Sequence, residues 1–167
     1  MDIMCGLRKP TSGQVLVNGM PIEQHGWFAD RVFYSPQQPL IIPGSVLQNV
    51  TFSRASPTDA ERSRAMSCVA DVGLSRDISR LAGGLDADVG PDGDVLSGGQ
   101  KQRLVLARAL YHGAEVFALD ESISGLETDS KHSILRLIRD LSEDGLIVIL
   151  ISHDVVAEEY ATKVLSL

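Results

Sequence analysis

The spacing of apolar and polar positions changes along this chain. It indicates a stretch of helices followed by a stretch in which strands alternate with helices. From Ser45 to Leu81 the apolar positions follow helical spacing, most clearly in Asp59–Val72, whose apolar residues share one face before Gly73. From Val116 onward, short apolar runs alternate with amphipathic segments. This order predicts strand Val116–Leu119, helix Ser130–Leu141, strand Leu146–Ile151, helix Val155–Ala161 and strand Lys163–Leu167.

The alternation of strands with helices indicates an α/β fold with a parallel sheet, because a helix usually carries the chain back between parallel strands. The runs Val116–Leu119 and Leu146–Ile151 are unbroken, which is typical of strands buried on both faces. We therefore expect Val116–Leu119 near the centre of the sheet. A helical subdomain over about residues 45–110 would be inserted between the two parts of an α/β core, residues 1–44 and 111–167.

The region before the helical stretch contains shorter elements. Met1–Leu7 has the pattern of a helix tail that runs into a turn at Lys9–Gly13. Other local patterns predict a hairpin strand at Gln14–Val17 with its turn at Asn18-Gly19, a strand at Arg31–Tyr34, a loop over residues 83–95 and a helix at Gly99–Tyr111.

Composition limits the classes of function. The 167 residues suit one domain, and the net charge of -7 with pI ≈ 5.0 disfavours nucleic acid as a ligand. No apolar stretch approaches the roughly 20 residues that span a bilayer, so a membrane role would come through a partner chain or a missing segment. Cys5 and Cys68 lack metal-ligand spacing, which favours two free thiols in a reducing cytosol.

The most distinctive run is Leu96-Ser97-Gly98-Gly99-Gln100, directly before a predicted helix. Backbone N–H groups at a helix N-terminus can receive a phosphate, and glycine lets the ligand approach. A serine N-cap alone would explain Ser97 but not the glycines, Gln100 and the Lys101-Gln102-Arg103 behind them. The run is similar to the signature motif of the ABC ATPase family. The resemblance implies that Ser97, Gly98, Gly99 and Gln100 face a nucleotide bound to the opposing subunit.

Two carboxylates, Asp120 and Glu121, directly follow the apolar run Val116–Leu119. One carboxylate at such a strand end can hold magnesium, and a second can polarise the water that attacks a γ-phosphate. A strand that ends in acidic residues is common by itself. Behind a signature motif, however, this one resembles the Walker B strand of the same family. The resemblance implies that Asp120 is the Mg²⁺ ligand and Glu121 the catalytic base.

Three further segments extend the resemblance. Ser124-Gly125-Leu126-Glu127 resembles the D-loop, with Glu127 in place of the usual aspartate. His153 follows the strand Leu146–Ile151; a lone histidine there is more often structural, but here it resembles the switch histidine that reaches the γ-phosphate. Tyr34-Ser35-Pro36-Gln37 resembles the Q-loop, which implies that Gln37 senses the metal and the attacking water, with Gln38 as the rival position.

The exporter class is indicated by two segments. Asp86-Ala87-Asp88-Val89-Gly90 resembles the loop that touches the membrane domain in exporters, although Pro91 follows where a glutamate is usual. Gly44–Val50 resembles the exporter stretch beyond the Q-loop. The resemblance therefore implies a transmembrane domain and a second nucleotide-binding domain as partners, at the cytoplasmic face of a membrane.

The phosphate-binding loop of the family is not found in this sequence, because no Gly-x-x-x-x-Gly-Lys-Ser/Thr occurs in it. Met1–Leu7 and Lys9–Gly13 instead resemble the segment directly C-terminal to that loop, which places its lysine roughly four residues before Met1. We therefore expect an N-terminally incomplete P-loop NTPase fold.

Two interpretations of the function remain open. The chain is either a truncated ATP-binding and ATP-hydrolysing domain that uses ATP and Mg²⁺, or a short natural product that acts as a catalytically incompetent binding or regulatory module. The stretch between Gln37 and Leu96 is too short for the coiled coils of the DNA-repair ABC ATPases. The acidic balance disfavours a ribosome-associated member.

Overall fold

The computed structural model describes residues 1–24, 28–53 and 56–165. Its strands are β1 (Leu16–Val17), β2 (Met20–Pro21), β3 (Val32–Ser35), β4 (Val116–Asp120) and β5 (Ile147–Ile151). Its α-helices are α1 (Phe28–Arg31), α2 (Val46–Thr51), α3 (Asp59–Asp71), α4 (Ser75–Ser79), α5 (Gly98–Tyr111) and α6 (Thr128–Glu143). Short 3₁₀ helices occupy Ile22–Gln24, Gly84–Asp86, Pro91–Gly93 and Val155–Tyr160.

Strands β3, β4 and β5 form a parallel sheet in that order, so the sequence was right about the α/β class and about the central position of β4. Side chains of β4 alternate between the two faces of the sheet. Phe117 and Leu119 join the large hydrophobic core with α5 and α6, whereas Val116 joins a small cluster with Ile22 on the opposite face. The helices therefore cover one face of the sheet much more completely than the other.

The two long apolar runs differ in burial, which corrects one expectation. β4 is buried from Val116 to Leu119, as predicted. β5 is not buried on both faces: Ile147 is 59% exposed, and the residues from Val148 to Ile151 are half-buried. The reason is position, because in the described part of the chain β5 pairs only with β4 and lies at the edge of the sheet.

The N-terminal hairpin was predicted correctly. β1 and β2 pair antiparallel, and Asn18 and Gly19 both have positive φ (51° and 81°), as a type I′ turn requires. Met1–Leu7 forms consecutive turns instead of the predicted helix tail. The backbone N–H of Gly6 nevertheless donates to Ile3 and that of Leu7 to Asp2, which is the pattern that closes a helix C-terminus.

Helices dominate the stretch from residue 45 to residue 110, where the described residues contain no strand and only one isolated β-bridge, Ser45 to Asp88. Three of the helices begin with a reciprocal capping box: the N-cap hydroxyl accepts from the backbone N–H three residues later, and the side chain of that later residue accepts from the N-cap backbone N–H. The pairs are Ser45 with Gln48, Thr58 with Glu61 and Ser97 with Gln100. These caps fix where each helix starts.

A buried arginine on α5, Arg108, donates hydrogen bonds to α2 and to the segment before it. Arg108 is 5% exposed and donates to the backbone oxygens of Asn49 (2.7 Å) and Leu40 (2.8 Å) and to Asn49 Oδ1 (3.0 Å). Its guanidinium also lies over the ring of Phe52. Burial lowers the pKa of Arg108 to about 10. All its hydrogen-bond partners are neutral, so hydrogen bonds rather than an ion pair compensate for its burial.

The last predicted elements need correction. Residues Val155–Tyr160 form a 3₁₀ helix instead of the α-helix expected over Val155–Ala161. The strand expected at Lys163–Leu167 is absent from residues 163–165, and its last two residues lie outside the described ranges. Val164 and Leu165 are exposed and pair with no strand, and a strand without a hydrogen-bonding neighbour is not stable. In the described part of the chain, no helix is long and apolar enough to cross a membrane.

Candidate functional site

The carboxyl ends of the three parallel strands bring most of the predicted site residues to one edge of the sheet. Ser35 of β3 lies opposite Leu119, and Asp120 of β4 lies opposite Ile151. The residues that follow these strands, Gln37, Glu121 and His153, therefore emerge at the same edge. This edge is where parallel α/β sheets bind ligands, since the loops there converge.

Glu121 has a constrained backbone and a free side-chain oxygen. Its φ of 50° is unusual for a residue other than glycine, and its N–H donates to Ile151 O at 2.9 Å. One carboxylate oxygen, Oε2, accepts from the Ser124 hydroxyl at 3.2 Å. The other, Oε1, is buried with no hydrogen-bond partner and lies 3.4 Å from His153 Nε2. A buried acceptor left open in this way is suited to a water or a ligand proton.

Asp120 is held from the neighbouring strand. The Tyr34 hydroxyl donates to Asp120 Oδ2 at 3.1 Å, and burial together with this bond raises the pKa of Tyr34. The described residues contain no group of three or more His, Cys, Asp and Glu side chains placed to hold a metal. Mg²⁺ commonly takes one or two carboxylates and completes its shell with phosphate oxygens and water. The single carboxylate of Asp120 fits that kind of site.

His153 is exposed and depends on its neighbours for its position. Its side chain is 95% exposed. Within the described residues, Glu121 is the one acidic side chain within 4 Å of the His153 ring nitrogens. The next residue, Asp154, pairs with Lys131 of α6 and accepts a hydrogen bond from the Val156 N–H, and both interactions lower the pKa of Asp154. The Lys131–Asp154 pair therefore anchors the histidine loop to α6.

Gln37 and Gln38 both follow β3 in an exposed bend. The structure places Gln37 at the same edge as Asp120 but gives neither glutamine a side-chain hydrogen bond within the described chain. An apolar groove of about 460 Å³ opens beside this bend. It is lined by Phe33, Tyr34, Ser35, Pro36, Leu40, Phe52, Val105, Arg108 and His112.

The signature-like run forms the first turn of α5. Ser97 is the N-cap, its hydroxyl accepting from the Gln100 N–H at 3.3 Å, while Gln100 Oε1 accepts from the Ser97 N–H at 2.9 Å. Ser97 and Gly98 are exposed, and Gly99 is buried. In the described chain these residues make no hydrogen bond with Asp120, Glu121 or His153. The turn and the carboxylate edge therefore form two separate parts of the candidate site.

The two exporter-like segments lie against each other. The Val46 N–H donates to Ala87 O at 3.1 Å, and the Val89 N–H donates to Gly44 O at 2.9 Å. Asp86 pairs with Arg62 of α3, which lowers the pKa of the Asp86 carboxyl. Segments that are far apart in sequence thus pack together beside the start of α2, with Val46 and Val89 buried and Asp86 and Asp88 exposed.

A family model described as ABC transporter matches residues 1–124, which is most of the chain. The chain belongs to the ABC transporter family. A probable multidrug resistance ABC transporter ATP-binding/permease protein, YheI of Bacillus subtilis, is 32% identical over 162 residues, 93% of this chain and 26% of the relative. The mitochondrial iron-sulfur clusters transporter ATM1 of Saccharomyces cerevisiae is 36% identical over 138 residues, 81% of this chain and 20% of the relative.

The solved structures agree with the sequence comparisons. A bacterial Atm1-family ABC exporter with ATP bound superimposes with a TM-score of 0.75 at 25% identity, covering 93% of this ABC chain and 27% of the exporter chain. This likeness and the parallel sheet establish the P-loop NTPase fold of the ABC type that the motifs predicted. The matched solved structure is that of an exporter, and this chain spans about a quarter of the length of YheI and of the exporter chain.

Sequence reasoning missed several residues that shape the site. Tyr34 donates a hydrogen bond to Asp120, and Lys131 pairs with Asp154 and so anchors the loop of His153. The sequence motifs assigned no role to either residue. The position of Tyr34 on a strand next to β4 could have indicated the first contact. Nothing in the spacing of Lys131 and Asp154 could have indicated the second, because it depends on how α6 packs.

Proposed function

We propose that this chain belongs to the ATP-binding and ATP-hydrolysing domain of an exporter-type ABC transporter, and that it supplies the catalytic edge and the signature turn of that domain. The names of its relatives, which combine ATP-binding and permease functions, support the proposal. The observation that carries it is the open oxygen of Glu121. Oε1 is buried, has no hydrogen-bond partner and lies beside His153 at the sheet edge, where a general base must accept a proton from water.

Each residue at the sheet edge would have a separate role in hydrolysis. Glu121 would accept the proton of the attacking water, while Ser124 holds the other carboxylate oxygen and so limits its rotation. His153 would donate a hydrogen bond to the γ-phosphate. Gln37 would orient the water and contact the metal from the next loop. Positioning and electrostatic stabilisation of this kind supply most of the catalysis of phosphoryl transfer.

Asp120 would hold Mg²⁺ with Gln37, through water or directly. The bound ion would neutralise charge on the β- and γ-phosphate oxygens. Tyr34 would keep one carboxylate oxygen of Asp120 fixed, leaving the other for the metal shell.

The signature turn would serve a second subunit. Ser97, Gly98, Gly99 and Gln100 lie at a helix N-terminus, where backbone N–H groups and the helix dipole favour a phosphate. Because the turn makes no hydrogen bond with the acidic edge of its own chain, a head-to-tail pair of nucleotide-binding domains would use it best. Each ATP would then lie between the acidic edge of one chain and the turn of the other.

The membrane partner would contact the exposed residues of Gly44–Val50 and Asp86–Gly90, at the cytoplasmic face of the membrane. The hydrogen bonds between these two segments support a single contact surface. The transported compound would be selected by the transmembrane domain.

The alternative function is a regulatory module that works without hydrolysis. Calorimetry of ATP binding distinguishes this module from the proposed function. The phosphate-binding lysine loop is not part of this sequence, and its amides and lysine supply most of the phosphate contacts in such enzymes. We expect the 167-residue chain to show no tight, Mg²⁺-dependent ATP binding. Micromolar affinity would contradict the proposal and favour the module.

The decisive experiment adds a phosphate-binding loop of the type Gly-x-x-x-x-Gly-Lys-Ser/Thr at the N-terminus of the chain and replaces Glu121→Gln to block hydrolysis. Sedimentation should then show a dimer that requires ATP. Adding Ser97→Glu should abolish the dimer but not ATP binding to the monomer, because a carboxylate facing a triphosphate across an interface costs several kcal/mol.

Ser45→Glu is the matched control, since Ser45 caps α2 with the same capping box but lies outside the signature turn. It should leave the dimer intact. Dimerisation of the Ser97→Glu protein at the level of its parent would show that the signature turn does not act across the interface.

A further inference from the structure

The segment that follows His153 forms an uncommonly long 3₁₀ helix. It covers the six residues Val155–Tyr160, and the Ala157 N–H donates to Asp154 O at 3.0 Å in its first turn. Runs of 3₁₀ helix longer than three or four residues are uncommon, because their hydrogen bonds have poorer geometry than those of an α-helix. Contacts with the rest of the chain must therefore favour this conformation.

The period of the 3₁₀ helix brings both of its ends to the same side. Side chains three residues apart in such a helix lie above one another. Asp154, Ala157 and Tyr160 follow this spacing and are half-buried. In an α-helix, which turns by about 100° per residue, Asp154 and Tyr160 would lie on different sides. The 3₁₀ form therefore allows both side chains to contact the same neighbouring helix, α6.

Two adjacent residues of α6 hold the two ends of the 3₁₀ helix. Lys131 pairs with the N-cap residue Asp154, and both side chains are less than a quarter exposed (22% and 23%). His132 Nδ1 forms a hydrogen bond of 2.8 Å with the Tyr160 hydroxyl, and the two rings pack with their centroids 5.9 Å apart. Because both contacts come from one turn of α6, they fix the 3₁₀ helix against α6 as a unit.

The backbone on either side of His153 is tied down in the same way. The Asp154 N–H donates to Ser152 Oγ at 3.0 Å, and Asp154 Oδ1 accepts from the Val156 N–H at 3.2 Å. The other carboxylate oxygen, Oδ2, belongs to the pair with Lys131. The His153 side chain is itself 95% exposed, so it takes its position from these neighbours rather than from packing of its ring.

Lys131 also offsets a negative charge next to the histidine. Without Lys131, the Asp154 carboxylate would be unpaired one residue from a ring that the proposed function directs at a γ-phosphate. A carboxylate and a phosphate repel each other, most strongly where little water separates them. The pairing of Asp154 with Lys131 therefore suits an anionic ligand at His153.

We infer that Lys131 and His132 are positioning residues for His153, which they keep beside Glu121 by holding the 3₁₀ helix Val155–Tyr160 at both ends. The catalytic consequence rests on the proposed function, in which His153 contacts the γ-phosphate. The arrangement of the loop is a property of the chain itself, so it can be measured without nucleotide.

The test uses NMR of the 167-residue chain without nucleotide. It measures the ring resonances of His153 and the backbone order parameters of residues 152–156. Lys131→Met removes the ion pair, and Tyr160→Phe removes the hydroxyl but keeps the ring. We expect each substitution to shift the His153 ring resonances and to lower the order parameters from about 0.85, typical of rigid backbone, towards about 0.6.

Conservative variants separate a positioning role from a general loss of structure. Lys131→Arg keeps the charge and should retain the parent resonances. His132→Phe should act like Tyr160→Phe, and the two together should add little, because they remove the same contact. Arg139→Met is the matched control, since Arg139 lies on the same helix but pairs with Glu143, and it should leave the His153 ring unchanged.

The inference is overturned if either Lys131→Met or Tyr160→Phe leaves the His153 ring and residues 152–156 at the parent values, or if Arg139→Met changes them as much. An equal fall in the order parameters of β5 would also overturn it, because the substitutions would then act on overall stability. If Tyr160→Phe does not fold, His132→Phe replaces it in the same measurements. Because no ATP is present, these outcomes are independent of whether the proposed hydrolysis occurs.

Discussion

The helical stretch and the parallel sheet differ in how fully their apolar side chains are buried. In the helical stretch, Val46 and Val50 of α2 and Leu104 and Leu106 of α5 are fully buried in one continuous cluster. The sheet shares this cluster on one face only. On its other face, Ile22 and Val116 form a small cluster with partly buried Val15, Val17, Val32 and Ile149.

The helices are therefore well packed against the rest of the chain, whereas one face of the sheet is largely uncovered. Buried apolar area is the main favourable term in folding, so substitutions among the helices should cost more than substitutions on the edge strand. The capping boxes and the Arg108 hydrogen bonds add specific contacts to the helical side. Loss of those contacts should therefore destabilise the chain more than a change at an exposed position of the edge strand.

The largest effect is expected at Arg108. Arg108→Ala removes the guanidinium donors to the buried Asn49 and to the part-buried backbone oxygen of Leu40, so unfolding by urea should require about 3 kcal/mol less free energy. Arg139→Ala is the matched control, since Arg139 forms an exposed pair with Glu143 on α6, and it should cost at most about 0.5 kcal/mol. Equal losses in the two variants would show that the Arg108 network does not stabilise the helical stretch.

The Arg108 network also marks the limit of what the sequence could predict. The apolar spacing gave α3 and α5 within a residue of their observed bounds, because one buried face is enough to produce that pattern. A charged residue inside the apolar stripe of α5 gave no such signal. Its partner Asn49 lies 59 positions earlier, and only the packing of α2 on α5 brings the two together.

The sheet and the candidate site have the same limit. Glu121 and His153 could be placed together from sequence, because residues that follow adjacent parallel strands emerge at one edge. The exposure of β5 could not be predicted, since both strands are unbroken apolar runs and only strand order distinguishes an edge from a centre. The contact of Tyr160 with His132 depends on the approach of the 3₁₀ helix to α6, which no local pattern encodes.

An intermediate effect is expected at the start of α3. Thr58→Ala removes the hydroxyl that accepts from the Glu61 N–H, and the loss of such an N-cap costs about 1 kcal/mol. Thr58→Ser, which keeps the hydroxyl, should retain most of the stability in the same urea experiment. If both variants lose equally, the methyl group of Thr58 rather than the cap is responsible.

A smaller effect should appear only in acid. The bond from Lys131 and the Val156 N–H lower the pKa of Asp154 below its usual 3.8, so the folded chain holds this carboxylate charged more readily than the unfolded chain does. The resulting stability is present above that value and is lost as pH falls through the lowered pKa. Urea unfolding of Asp154→Asn should therefore depend less on pH in this range than unfolding of the parent. Lys131→Met should flatten the dependence in the same way, and an unchanged slope in both variants would exclude the pair as its source.

The smallest effect is expected on the edge strand, where the contrast between the two regions is most direct. Ile147→Thr keeps the β-branched shape that suits a strand, so the substitution reports mainly the burial of the side chain. Ile147 is mostly exposed on β5, and its replacement should change the free energy of unfolding by less than about 0.5 kcal/mol. The same change at Ile149, which packs against Val116 and Ile22, should cost measurably more. A loss at Ile147 as large as the loss at Ile149 would mean that the edge of β5 is covered in solution. Sedimentation of the parent chain would then establish whether a second copy covers it, because a strand edge with free N–H and C=O groups readily pairs with another chain.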